Sequence, residues 1–152
     1  MSQRAEARVA EFSRLARERG LRLTHQRLEG FAEIARREDH PTAEAVYRAV
    51  RERVPTVSLD TVYRTLRLLH DWGLLDILGA RAEGVRFDPQ VETHHHFVCT
   101  RCGHIYDFTS AELDALAIPA AARELGEVSA QRVEVRGICR ACEQRGETAG
   151  EG

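Results

Sequence analysis

The chain has 152 residues, 43% of them hydrophobic and 30% charged, with a formal net charge of -2. That is enough to bury a core in one domain or two small ones, and no apolar run nears the roughly 20 residues that cross a bilayer, which sets membrane-spanning proteins aside. Its 22 basic residues are all Arg, and residues 1–80 hold 14 of them against 12 acids, a balance of +2, whereas residues 81–152 hold 8 against 12, a balance of -4.

In chain order, Val9, Phe12, Leu15 and Ala16 recur at helical spacing and stop at Gly20, a residue suited to the position just past a helix end. Thr24 can cap a second helix with Leu28, Phe31, Ala32 and Ala35 on its apolar face. After Asp39-His40-Pro41, Thr42 can cap a third, with Val46 and Val50 inward and Glu44 near its positive end. Pro55 interrupts, and Ser58 opens a fourth helix that runs to about His70, with Leu59, Val62, Leu66 and Leu69 as one apolar stripe. Its other face carries Thr61, Tyr63, Arg64 and Arg67, groups that suit phosphates and major-groove base edges and that also suit an ordinary solvated surface.

Gly73 ends that helix, and Leu74 to Leu78, a loop from Gly79 to Gly84, then Val85-Arg86-Phe87 read as a β-hairpin. Helices followed by a hairpin describe a winged helix-turn-helix, in which the helix before the wing enters the major groove. Arg22, between the first two helices, can then reach phosphate or the adjacent minor groove. A small helical interaction module would share the pattern.

The second half alternates as strands do at Phe97-Val98-Cys99, Ile105 to Phe108 and Val133 to Val135. Ser110 can cap a helix containing Leu113 and Leu116, ended or restarted by Pro119. This half is α+β with little core for its size, so it is expected to lean on a metal and on a second copy of itself.

All four cysteines fall into two CxxC pairs, Cys99/Cys102 and Cys139/Cys142. Each pair sets two thiolates on one tight turn, and two pairs complete the closed shell of a structural zinc site. Disulfides or a redox CxxC are the weaker alternatives, since nothing resembles a secretory leader; a cytoplasmic protein with metal-bound thiolates is expected. On an extended strand His94 and His96 share a face while His95 points away. Asp88, Asp107 and His40 can add to that pair. Three imidazoles and two carboxylates suit Fe(II) or Mn(II) and tolerate zinc. His25, His70 and His104 read as surface histidines.

The stretches Thr24-His25-Gln26-Arg27, His40-Pro41-Thr42-Ala43, Thr61 to Leu66, Arg86-Phe87-Asp88, His94 to Gly103 and Gly137 to Cys142 together resemble the ferric uptake regulator family, from about Gly20 to Cys142. The resemblance implies a homodimeric, metal-responsive repressor that binds a palindromic operator in double-stranded DNA. Its parts would be a winged-helix DNA-binding domain over 1–84, a metal-binding dimerisation domain over 85–145 and a disordered tail over 146–152. It also implies regulatory ligands His40, Asp88, His94, His96 and Asp107, DNA contacts at Arg22, Tyr63 and Arg64, and oxidation-sensitive His40 or His94.

Asp at 88 and 107, where iron-uptake members typically carry Glu, implies peroxide sensing through Fe(II)-catalysed oxidation of a ligand histidine. Gln131 and Thr93 stand where iron-uptake members often have histidines of an additional metal site, so that site is expected to be incomplete. Arg64 departs from the Asn of some peroxide regulators. An iron- or manganese-concentration sensor, a zinc sensor and, more remotely, a metalloenzyme built on Asp88, His94 and His96 are the alternatives.

Overall fold

Four helices open the chain in a computed structural model that describes residues 1–81 and 84–148. They are α1 (Gln3–Glu18), α2 (His25–Ala35), α3 (Ala43–Arg53) and α4 (Leu59–Asp71). Hydroxyls cap each start: Ser2, Thr24, Thr42 and Ser58 accept the N–H of Ala5, Arg27, Ala45 and Thr61. Gly20 at φ 67° and Gly73 at φ 72° close α1 and α4 in left-handed turns. In those turns the N–H of Leu21 bonds the Ala16 carbonyl at 2.8 Å and that of Leu74 bonds the Leu69 carbonyl at 2.9 Å.

These helices and a hairpin, β1 (Asp76–Arg81) and β2 (Gly84–Asp88), form one compact unit spanning Met1–Val91. The hairpin strands are antiparallel, with Asp76 opposite Asp88 and Leu78 opposite Arg86. The core holds Phe12, Phe31, Ile34, Val46, Val50, Val62, Leu66, Leu69, Leu75 and Phe87. Phe12 lies 4.2 Å from Phe31 and 5.8 Å from Trp72 between ring centroids. Each such side chain contributes about 1.5–3 kcal/mol on burial.

Two details differ from the helical pattern. Leu59, the first residue of α4, is exposed rather than part of its inward stripe. Thr65 goes inward instead, its hydroxyl donating to the Thr61 carbonyl at 2.8 Å. In α2, Leu28 and Ala32 are only half-buried, and Glu33 is buried with Arg53 Nη2 at 2.9 Å and Arg37 Nε at 3.1 Å.

The second compact unit begins at Glu92. The boundary expected at 84/85 therefore moves to 91/92, since β2 is the pairing partner of β1 and cannot be separated from it. Strands β3 (His95–Cys99), β4 (Ile105–Phe108) and β5 (Glu134–Gly137) form a sheet in the order β4-β3-β5, with β4 antiparallel and β5 parallel to β3. Two short helices lie between β4 and β5: α5 (Ala111–Asp114), capped by Ser110, and α6 (Ala120–Leu125), begun by Pro119. Neither contains a buried residue. Helix α7 (Arg140–Thr148) follows. Residues 146–148, expected in a disordered tail, continue this helix, and 149–152 lie outside the described residues. Among the described residues no helix is long and apolar enough to cross a membrane.

Candidate metal centres and the exposed face of the fourth helix

The parallel pairing of β3 with β5 sets Cys99 opposite Gly137, which brings the two CxxC turns to the same end of the sheet. Thr100 ties them together, its N–H meeting the Gly137 carbonyl at 2.8 Å. Gly103, at φ 74°, lets the first turn close back on Cys99. The four sulfurs lie within 4.8 Å of one another. Cys102 Sγ and Cys139 Sγ are 3.8 Å apart, and about 3.8 Å is the edge of a thiolate tetrahedron with bonds of about 2.3 Å to zinc. The cluster fits a structural zinc site, and the separation is far from a disulfide bond.

The surroundings favour thiolates. Cys99 accepts the N–H of Cys102 at 3.4 Å and of Cys139 at 3.3 Å, and these bonds hold its thiol down to about 5. The N–H of Cys142 and the Tyr106 hydroxyl lower that of Cys139. At Cys102 the His104 N–H pulls downward, but the other cysteines and burial outweigh it and push the thiol up to about 11. The cluster thus shares a negative charge that a divalent cation would neutralise. Arg145 Nη2 donates to Cys142 Sγ at 3.1 Å, a contact with no sequence signal beyond its helical spacing.

Within the second unit, His94 and His96 present their Nε2 atoms to each other at 3.0 Å. Asp107, opposite His96 in the β3/β4 register, brings Oδ1 to 3.7 Å from His94 Nε2 and 3.5 Å from His96 Nε2. His94 Nδ1 lies 2.7 Å from the Glu92 carbonyl, so it carries the proton and leaves an Nε2 lone pair facing His96. Two imidazole nitrogens this close need a proton or a cation between or beside them. About 3 Å is the spacing of adjacent ligands around an octahedral ion with bonds of about 2.1 Å.

His95 points the other way. Its Nδ1 accepts the Val133 N–H at 3.1 Å, which leaves Nε2 to donate to Asp114 Oδ1 at 2.9 Å. Both nitrogens are committed, and the residue serves the sheet. Gln131, at a position of the additional site, spends its amide on the Leu116 carbonyl at 3.0 Å.

Within the first unit, His40 and Asp88 are both buried, with His40 Nε2 3.7 Å from Asp88 Oδ2. The other oxygen of Asp88 accepts the Gln90 N–H at 2.8 Å. His40 has φ 50°, the left-handed region, and precedes Pro41, which restricts its backbone further. Such a conformation costs on the order of 1–3 kcal/mol and persists only where neighbours impose it. Two bonds from β2 reach this segment: Phe87 N–H to the Pro41 carbonyl at 3.0 Å, and Arg86 Nη1 to the His40 carbonyl at 3.2 Å.

The exposed face of α4 begins at its cap, where the hydroxyls of Ser58 and Thr61 are 2.9 Å apart. Thr61 is half-buried; Tyr63 and Arg64 are exposed, as is Arg22 on the segment before α2. Tyr63 stands edge-on to Phe87 at 6.3 Å and the residue as a whole is exposed. Arg64 Nε pairs with Asp60 at 3.0 Å, an exposed ion pair that reading the sequence had passed over and that any phosphate or base would have to displace.

A winged helix with exposed arginines, joined to a unit that carries a thiolate cluster and a nitrogen/oxygen cluster, defines a metal-dependent transcriptional regulator. Residues 18–136 match the ferric uptake regulator family, and the chain belongs to it. It is 32% identical over 130 residues to the peroxide-responsive repressor PerR of Staphylococcus epidermidis, covering 86% of this chain and 87% of that protein. A structure of a zinc-bound manganese uptake regulator is also 32% identical, with a TM-score of 0.62 over 84% of this chain and 97% of that one. The Helicobacter pylori ferric uptake regulator Fur shares the fold at a TM-score of 0.73 and 21% identity, over 94% and 97% of the two chains. Membership makes the chain a metal-dependent repressor and removes the metalloenzyme alternative.

Proposed function

We propose that this protein is a peroxide-sensing repressor that holds a palindromic operator as a homodimer while a regulatory Fe(II) or Mn(II) is bound, and that releases it when a ligand histidine is oxidised. His40, Asp88, His94, His96 and Asp107 are the proposed regulatory ligands. Arg22, Thr61, Tyr63 and Arg64 are the proposed DNA contacts, Arg64 by phosphate grip or bidentate guanine contact. The observation that carries the reading is that both carboxylates of the regulatory set are aspartates, in a chain whose curated relatives include peroxide-responsive repressors.

The residues prepare this chemistry. The His94 proton is fixed on Nδ1 by the Glu92 carbonyl, which leaves Nε2 as the donor. His40 and Asp88 of the first unit and His94 of the second are each buried. Bound Fe(II) supplies the reducing chemistry toward hydrogen peroxide. In the net reaction one peroxide oxygen replaces the hydrogen on the C2 of His40 or His94, and the other leaves as water. An imidazole so altered is a poorer ligand, and the state that binds DNA loses the differential affinity on which it depends.

The identity shared with a manganese uptake regulator favours a second reading, a repressor that reports metal concentration. Anaerobic operator binding with Fe(II) or Mn(II) loaded separately, before and after a small dose of peroxide, separates the two. Loss of binding in the iron form alone, with one added oxygen on a peptide containing His40 or His94, is the expected result. Unchanged binding in both forms would leave the metal-concentration sensor.

A further inference from the structure

Strand β2 grips the His40-Pro41 segment twice. The Phe87 N–H takes the Pro41 carbonyl at 3.0 Å, and the guanidinium of Arg86 takes the His40 carbonyl at 3.2 Å. Arg86 and Asp88 are two apart on the strand and so share a face, which means that one short segment supplies both a clamp on the His40 peptide and a carboxylate 3.7 Å from its imidazole. His40 is the one non-glycine residue with positive φ among those described, and it stands before a proline. Left to itself such a residue relaxes to an extended conformation, which would swing its side chain elsewhere.

We propose that Arg86 is a positioning residue of the regulatory metal site: its guanidinium holds the His40 peptide in the left-handed conformation that directs the imidazole to the side of Asp88. This rests on the reading of His40 as a ligand. Arg86 itself touches no metal; it determines whether His40 is ready before the metal arrives, and so sets affinity through preorganisation rather than through a bond. A planar guanidinium suits the role because it makes a directed bond to a carbonyl from a strand whose backbone is already engaged. The more mobile ammonium of lysine would do so less well.

The test is a Mn(II) titration of the full-length, zinc-loaded protein carrying Arg86→Met, Arg86→Lys or His40→Ala, beside wild type. Circular dichroism of the metal-free proteins confirms the fold, and the Cα and Cβ chemical shifts of His40 report its backbone. Arg86→Met is expected to weaken Mn(II) binding about 10- to 100-fold and to move the His40 shifts toward extended values, with Arg86→Lys in between. An arginine that only stabilised the fold would lower the metal-free melting temperature and leave affinity and shifts alone, and that result overturns the proposal. Should Arg86→Met fail to fold, Arg86→Lys decides: wild-type affinity overturns the proposal, and a several-fold loss with shifted His40 resonances supports it. The His40→Ala arm distinguishes the two levels. Unchanged Mn(II) affinity there overturns the ligand assignment itself, whereas loss there with wild-type affinity in both Arg86 variants overturns only the role of Arg86.

Discussion

The two units of this chain are stabilised by different means. The first buries a continuous hydrocarbon core, with Phe12, Ile34, Val46, Val50, Leu66 and Leu69 fully enclosed. In the second, the buried cluster consists of Cys99, Cys139 and Cys142 with Phe97 against them, Val98 and Ile105 are the other buried hydrophobic residues among those described, and Leu116, Leu125, Val135 and Ile138 are exposed. The winged helix is thus held by apolar burial, and the second unit depends on a metal that its own residues must collect. The expectation is that the first unit stays folded when zinc is removed and that the second does not.

Stripping the structural zinc is the most severe way to break that contrast. Because the second unit has so little other core, loss of metal should cost it on the order of 10 kcal/mol. Chelation, or Cys139→Ser, should collapse the amide resonances of residues 95–148 and leave those of 3–88 dispersed. Survival of both sets would erase the distinction. The converse change is Leu66→Ala, which should destabilise the winged helix by about 2–5 kcal/mol without altering zinc content. Thermal melting followed with metal analysis checks both halves of that statement.

Two smaller effects sharpen the comparison on the first unit's surface. Arg64→Ala should cost about 1–3 kcal/mol of operator affinity if the guanidinium reads a base, and a salt titration of binding to operator and scrambled DNA distinguishes that from a phosphate contact. The smallest effect belongs to Glu29, whose carboxyl is held below its ordinary value by the Arg53 guanidinium 2.8 Å away. Its contribution is fully present above the ordinary glutamate range and is lost as pH falls through the lowered folded value. Glu29→Gln should therefore flatten the acid limb of first-unit stability by less than about 1 kcal/mol, measured as denaturation midpoint against pH.

Local chemistry was legible in the sequence. Capping hydroxyls at Thr24, Thr42, Ser58 and Ser110 act on residues three positions away, and the CxxC turns and the alternation of His94, His95 and His96 are equally short in range. What depended on distant packing was not. Periodicity places Leu59 inward because a helical stripe carries no record of where the core stops, and it gives no sign that Glu33 is buried, because the Arg53 that pairs with it there lies 20 residues away. The left-handed backbone of His40 could not be read either: histidine is enriched at positive φ but seldom adopts it, the proline that follows argues for an extended backbone, and the Arg86 bond to its carbonyl comes from 46 residues further on. The proposed DNA contacts were visible as residue types, but the Asp60 carboxylate that pairs with Arg64 became apparent only with the side chains in place.

The separation of the two CxxC turns bears on the order in which the protein is made. Cys139 follows Cys102 by 37 residues, so at 5–20 residues per second the ribosome leaves the first pair waiting roughly 2–7 s for its complement. Two thiolates can catch a metal but cannot enclose it, and any soft cation can occupy them during that interval. The parallel strand that delivers the second pair therefore completes the choice of metal, and a nascent chain stalled between the two turns would be open to the wrong ion.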